Sequence, residues 1–183
     1  MHNCVLTVAE VDTAIRKMKL GKAAGMDGVT AEHFIYSHPL VVVLVTLLLN
    51  ALIKYSYVPL DFTSGIIVPL LKGNDSDSTC VHSYRGITLS CVLSKVFEMC
   101  LLVQFEPYLT SAELQFGFKS KIGCMDAILT ARTVVNYFTD RCSTITMCTL
   151  DLSKAFDKVN HCVLFMKLME RNIPKAFIDI ISY

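Results

Sequence analysis

Charge is scarce in this chain. Asp, Glu, Lys and Arg make up 18% of its 183 residues, and the formal net charge is +1. That balance excludes a uniformly basic nucleic-acid binder; any polyanion would have to be held by a few placed cations. No leader is expected either. Met1 to Leu20 is mixed and carries Glu10 and Asp12, where a secretory signal would be basic and then apolar. No two cysteines have CxxC spacing and the five histidines are scattered, so the eight cysteines form no zinc pattern. Cys91, Cys100, Cys148 and Cys162 sit among apolar neighbours. The expectation is reduced, mostly buried thiols in an intracellular protein of the cytoplasm or nucleus, not a secreted one.

Apolar residues are abundant. They make up 53% of the chain, which excludes disorder and supplies a substantial core. The longest apolar run, Leu40 to Ile53, has 14 residues and contains Thr46 and Asn50. A membrane span needs about 20 such residues, so the run reads as a core helix and no membrane segment is expected. A core helix would pack Leu44, Leu47 and Leu48 against its neighbours; a membrane helix would leave 40–53 exposed.

Thr7-Val8-Ala9-Glu10 has the form of a capping box, and Val11, Ala14/Ile15 and Met18 follow at helical spacing, which predicts a helix over 7–18. Gly21, Gly25 and Gly28 then break the structure. This stretch is not a P-loop, because Lys22 follows the first glycine directly and a helix, not a strand, precedes it. Thr30 opens a short helix and 39–55 forms a long one. Gly65 to Leu71 reads as a strand that Pro69 confines to an edge or a bulge. Residues 73–83 form a polar loop, and Tyr84 to Leu89 is a second strand. A helix over about 92–106 carries Val92, Val96, Met99/Cys100 and Val103 on one face. Thr110-Ser-Ala-Glu113 is a second capping box. Gly123 to Phe138 is an amphipathic helix through Ala127, Ile128, Ala131 and Val134/Val135. Thr144 to Leu150 predicts a buried strand, 160–171 a helix, and Pro174 the opening of a last one. That last pattern runs into Tyr183, so the expectation is a unit that continues beyond it. The fold class is α+β, mostly helical with short strands.

The segment 146–161, TMCTLDLSKAFDKVNH, is the most informative. An apolar strand there would deliver Asp151 at its C-terminal end, ahead of a turn and a helix. A carboxylate in that position can hold Mg²⁺, which prefers oxygen ligands. The same carboxylate can instead cap the following turn or helix. Asp157, six residues on, is a candidate structural acceptor near the next helix.

Asp151-Leu-Ser-Lys-Ala-Phe-Asp157-Lys-Val-Asn-His161 resembles the first catalytic motif of the reverse transcriptases of non-LTR (LINE-type) retrotransposons. Three further segments match in order. Lys19-Leu-Gly-Lys-Ala-Ala-Gly-Met-Asp-Gly28 is similar to the family's K-x-G-K-A-x-G-x-D-G element, and Tyr84-Arg-Gly-Ile-Thr-Leu-Ser90 to its YRPISL motif. Gln115-Phe-Gly-Phe-Lys119, with Gly123-Cys124 and Asp126-Ala127-Ile128, is similar to Q-x-G-F-R-x-G. The ordered set spans residues 19–161.

The resemblance implies part of a right-hand polymerase fold: fingers over 1–140, then the start of the palm over 141–183, with its first strand and helix. It implies RNA-directed DNA synthesis, in which two Mg²⁺ ions align a primer hydroxyl with a nucleotide's α-phosphate. Asp151 and the carbonyl of Leu152 would be the metal ligands. Phe156 would screen the sugar against a 2′-hydroxyl, and Lys72 and Arg85, on strands joined by one loop and able to share a face, would grip the triphosphate. Lys95, Gln115, Gly117 and Lys119 are weaker candidates for contact with template or primer. The implied partners are an RNA template, a DNA primer, deoxynucleoside triphosphates and the missing palm and thumb portions. Bland readings stand beside these: Phe156 as a core ring, Lys72 and Arg85 as solvated cations, Lys95 as a snorkelling side chain.

The chain departs from the family pattern at Gly86, where proline is usual, at Lys119, where arginine is usual, and at Lys121, where glycine is usual. It contains no Asp-Asp pair, so the family's second carboxylate cluster is absent. With one carboxylate, Mg²⁺ binding is expected to be weak or absent and polymerase activity negligible. The alternative function is a non-catalytic retroelement remnant, at most an RNA-binding or interaction fragment.

Overall fold

The computed structural model describes residues 5–73, 77–152 and 155–182. They combine helices with one small sheet. In chain order these are α1 (Val8–Arg16), α2 (Ala31–Ile35), α3 (Pro39–Tyr55), α4 (Leu60–Thr63), β1 (Gly65–Leu71), β2 (Tyr84–Ser90), α5 (Val92–Phe105), α6 (Cys124–Thr139), α7 (His161–Glu170) and α8 (Lys175–Ile181). The chain divides into two compact units, one of residues 1–108 with 165–183 and one of residues 109–164.

The first unit is built around α1. Thr7 caps it as expected: its N–H and hydroxyl both donate to Glu10 Oε2 at 2.7 Å, and its Oγ1 accepts the Glu10 N–H at 3.3 Å. Val11, Ala14 and Ile15 turn inward at helical spacing. They pack on α3 and α5, where Leu49 and Val96 are fully buried. α8 closes on α3, with the Phe177 ring tilted by 48° against Phe105 of α5, their centroids 4.4 Å apart. Phe62 meets Phe97 edge to face.

α3 spans the expected run, but it does not bury the expected face. Val42, Val45, Thr46, Leu49, Leu52 and Ile53 point inward. Leu44, Leu47 and Leu48 are 65%, 62% and 43% exposed, so the burial expected of them is not observed. The reason is geometric: α1 and α8 reach one side of this helix, and a helix that is apolar all round needs cover on both. Even so, no helix among the described residues is long and apolar enough to cross a membrane.

β1 and β2 pair antiparallel and one-to-one from Gly65–Ser90 to Leu71–Tyr84, with no bulge. The bond from Lys72 N–H to Ser83 C=O sets the phase of the ladder. Counting back in steps of two, the pair Pro69–Gly86 is a non-hydrogen-bonded one. Proline therefore sits mid-strand without breaking a rung, and the direction in which its missing amide would point is the outer edge of β1. Gly86 stands across from it, and a side chain there would meet Ile67 Cγ2 at 3.2 Å. The glycines of the first motif also have structural work. Gly21 and Gly28 have φ +67°, and Gly25 lies so close to Cys91 that an added Cβ would be 2.9 Å from its backbone.

In the second unit α6 forms where expected, starting from Gly123, whose N–H donates to Asp126 Oδ2 at 2.7 Å. None of its residues is buried, so the apolar stripe is present but uncovered. Two expectations fail here. The second capping box starts no helix: residues 110–123 run through turns, with φ +61° at Phe118 and +63° at Lys121. Thr144 to Leu150 is not a strand, and Leu150 is exposed. A strand exists through its ladder, and none of the described residues pairs with this segment. Cys148 and Cys162 are correspondingly exposed rather than buried, as are Cys124 and Cys142; Cys91 and Cys100 are buried as expected.

Candidate functional site

The candidate residues fall in both units. Lys72, Arg85 and Lys95 belong to the first; Gln115, Gly117, Lys119, Asp151, Leu152 and Phe156 belong to the second.

On the hairpin, Leu70 pairs with Arg85, and Lys72 continues the strand one step beyond Leu71. Alternation by two then puts Lys72 and Arg85 on one face, as their spacing suggested. Their surroundings differ. Lys72 Nζ donates to the His82 carbonyl at 2.6 Å and so ties down the loop. Among the described residues no side chain bonds the Arg85 guanidinium, which is exposed. Lys95 is half-buried on α5. It stands one turn from Glu98, whose carboxyl burial pushes up against the opposing pull of the Lys95 charge.

In the second unit the Gln115–Lys119 segment holds itself. Gln115 Nε2 donates to the Gly117 carbonyl at 3.2 Å. Lys119 Nζ donates to the carbonyls of Ala112 at 2.7 Å and Glu113 at 3.1 Å. Asp151 and Leu152 are exposed at the end of the irregular segment that runs from residue 143. Ser153 and Lys154 of the motif lie outside the described residues. The cap of α7 is supplied by Asn160, whose Oδ1 accepts the Val163 N–H at 3.2 Å, so neither Asp151 nor Asp157 takes that role. Phe156 is no core ring: it is 80% exposed.

The structure adds a partner for it. Phe118, 94% exposed, meets Phe156 edge to face, with ring centroids 6.4 Å apart and planes at 84°. The sequence does not single out Phe118, because an exposed ring and a core ring look alike within a motif; its position between Gly117 and Lys119 is the signal that was there.

The donors present suit a hard cation only loosely. Asp151 and the neighbouring Leu152 carbonyl offer oxygens, which match Mg²⁺ chemistry for one hydrated ion. Among the described residues no three or more His, Cys, Asp or Glu side chains converge as a metal site.

No protein-family model matches the chain. Individual relatives do. It is 31% identical over 115 residues to the 115 kDa protein assigned to the type-1 retrotransposable element R1DM of Drosophila melanogaster, covering 62% of this chain and 11% of that protein. It is 28% identical over 185 residues to the RNA-directed DNA polymerase assigned to transposon X-element of the same fly, covering 94% of this chain and 19% of the relative. The RNA-directed DNA polymerase from mobile element jockey of Drosophila funebris is 27% identical over 182 residues, again covering 94% and 19%. The chain is a relative of the non-LTR reverse transcriptases. It spans from 11% to 19% of the length of these three. The similarity runs through nearly all of it, so the motif around Asp151 is read within a non-LTR reverse transcriptase frame and not as an isolated match.

Proposed function

We propose that this chain is the fingers region (1–140) and the opening of the palm (141–183) of a right-hand reverse transcriptase. In complete form the enzyme would extend a DNA primer with deoxynucleotides on an RNA template. The observation that carries the reading is Asp151, an exposed carboxylate ahead of α7, a helix whose cap is supplied by Asn160 instead. An exposed carboxylate that does not cap the following helix, at a position that matches a catalytic motif, is a candidate ligand.

The residues would divide the work as follows. Asp151 and the Leu152 carbonyl would hold Mg²⁺, which when bound neutralises phosphate charge and aligns the attacking hydroxyl. Arg85 would present its planar fork of donors to phosphate oxygens, and Lys72 would add charge while bracing the loop through His82. Phe156 would stand against the sugar and exclude a 2′-hydroxyl. Gln115, Gly117 and Lys119 would shape the template-side loop through the bonds they make within it, and Lys95 would add a remote charge toward the primer or template. One carboxylate supports weak metal binding at most, so these 183 residues alone are proposed to be inactive.

Manganese is the probe that tests the reading. Mn²⁺ titrated into the chain should broaden NMR signals around Asp151 and Leu152 at millimolar concentration, and Asp151→Asn should abolish the effect. Broadening centred elsewhere, or unchanged in the variant, would remove Asp151 as the ligand.

A further inference from the structure

We propose that Phe118 is a positioning residue, which fixes the Phe156 ring in the pose that screens a nucleotide sugar. The inference rests on the sugar-screening reading of Phe156.

Three observations converge on the pair. Phe156 stands almost free in solvent on the turn at 155–158, so core packing does not set its rotamer. A lone exposed ring hops between rotamers in picoseconds to nanoseconds and cannot exclude a single hydroxyl sharply. Phe118 supplies the missing constraint, since an edge-to-face contact orients one ring against another.

Phe118 itself is held in an unusual way. Its backbone lies at φ +61°, a left-handed conformation that a bulky side chain rarely adopts. The turn around it is tied by Gln115 to Gly117 and by Lys119 to Ala112 and Glu113. Those bonds offset the strain, and strain kept at a residue whose side chain packs into no core is a mark of a functional position. The Q-F-G-F-K segment and the Asp151 motif, 38 positions apart at Phe118 and Phe156, thus meet through two aromatic rings.

The experiment uses nucleosides, which need neither metal nor phosphate contacts. The 183-residue chain is titrated with 2′-deoxyadenosine and with adenosine, and binding is followed by ring-proton NMR shifts. The wild type is expected to prefer the deoxynucleoside by about two- to tenfold, the scale of one aromatic pair. Phe118→Ala and Phe118→Gly should both lose the preference, the second without left-handed strain, while Phe118→Tyr should keep it. Removing so exposed a ring takes little from any core, and circular dichroism of each variant confirms the fold. If Phe118→Ala keeps a preference that Phe156→Ala abolishes, the positioning role is overturned and the screening role stands. If the wild type shows no preference, the screening reading fails and this inference falls with it.

Discussion

Asn50 completes the backbone of Leu6 from both sides: its Nδ2 donates to the Leu6 carbonyl at 2.9 Å and its Oδ1 accepts the Leu6 N–H at 2.8 Å. This is why an amide interrupts the longest apolar run of the chain. Leu6 is 2% exposed, and its peptide groups have left water without joining a helix or sheet. Gln104 of α5 holds the preceding residue in the same way, donating to the Val5 carbonyl at 3.1 Å.

Asn50→Leu should therefore destabilise the chain although it makes α3 more apolar. Each peptide group left without a partner costs about 1–3 kcal/mol. Asn50→Asp keeps the acceptor and loses the donor, so its urea midpoint should fall between those of Asn50→Leu and the wild type. Equal midpoints for Asn50→Leu and the wild type would show that water replaces the amide at Leu6.

Acid should weaken the first helix. The Thr7 bonds hold the Glu10 carboxyl below its ordinary value near 4.5. A depressed folded-state pKa contributes stability above the unfolded value, and that contribution is lost as pH falls through the folded one. Chemical denaturation at pH 7 and pH 3 should show the drop, and Glu10→Gln should remove part of it. The same drop in both proteins would place the acid sensitivity elsewhere, as at Glu32 or Asp77, which hydrogen bonds also hold low.

Thiol labelling should sort the cysteines by position. Cys100 is pushed up to about 11, first by burial and then by the nearby Glu10 charge. At pH 8 it is protonated and inert, and buried Cys91 is shielded. Cys124, Cys142, Cys148 and Cys162 are exposed and should react first with iodoacetamide, as read by peptide mass spectrometry. Early modification of Cys100 would mean that α1 and α5 separate readily.

Primer extension should give nothing sustained. With Mg²⁺, an annealed RNA template and the purified chain, incorporation should stay at background. Product formation that disappears in Asp151→Asn would show that a single carboxylate suffices.

Local signals were legible in the sequence for most elements whose outcome neighbours in the chain decide, the Thr110–Glu113 box excepted. The Thr7–Glu10 box, the run that became α3, both hairpin strands and α6 follow from caps, periodicity and breakers within a few residues. What could not be read was the cover on each face. Leu44 and Leu49 look alike in the run, yet one is exposed and the other fully buried, because only distant helices decide between them. Thr144 to Leu150 has the composition of a strand and lacks a partner to make it one. The candidate site followed the same division. Arg85 and Lys72 share a face because strand alternation is local, whereas the meeting of Phe118 with Phe156 depends on how the intervening chain returns.

Pro69 gives the hairpin a handed vulnerability. A two-stranded sheet has two open edges, and each is a template for a third strand. Along β1 the incoming chain meets a gap in the row of donors at Pro69. Along β2 the outward amides of Gly86 and Thr88 are unbroken by proline, while the Tyr84 N–H is bonded to the Val81 carbonyl and Gly25 packs close to the Ser90–Cys91 backbone. Self-templated assembly of this protein would accordingly grow from β2, and β1 would act as the end that stops it.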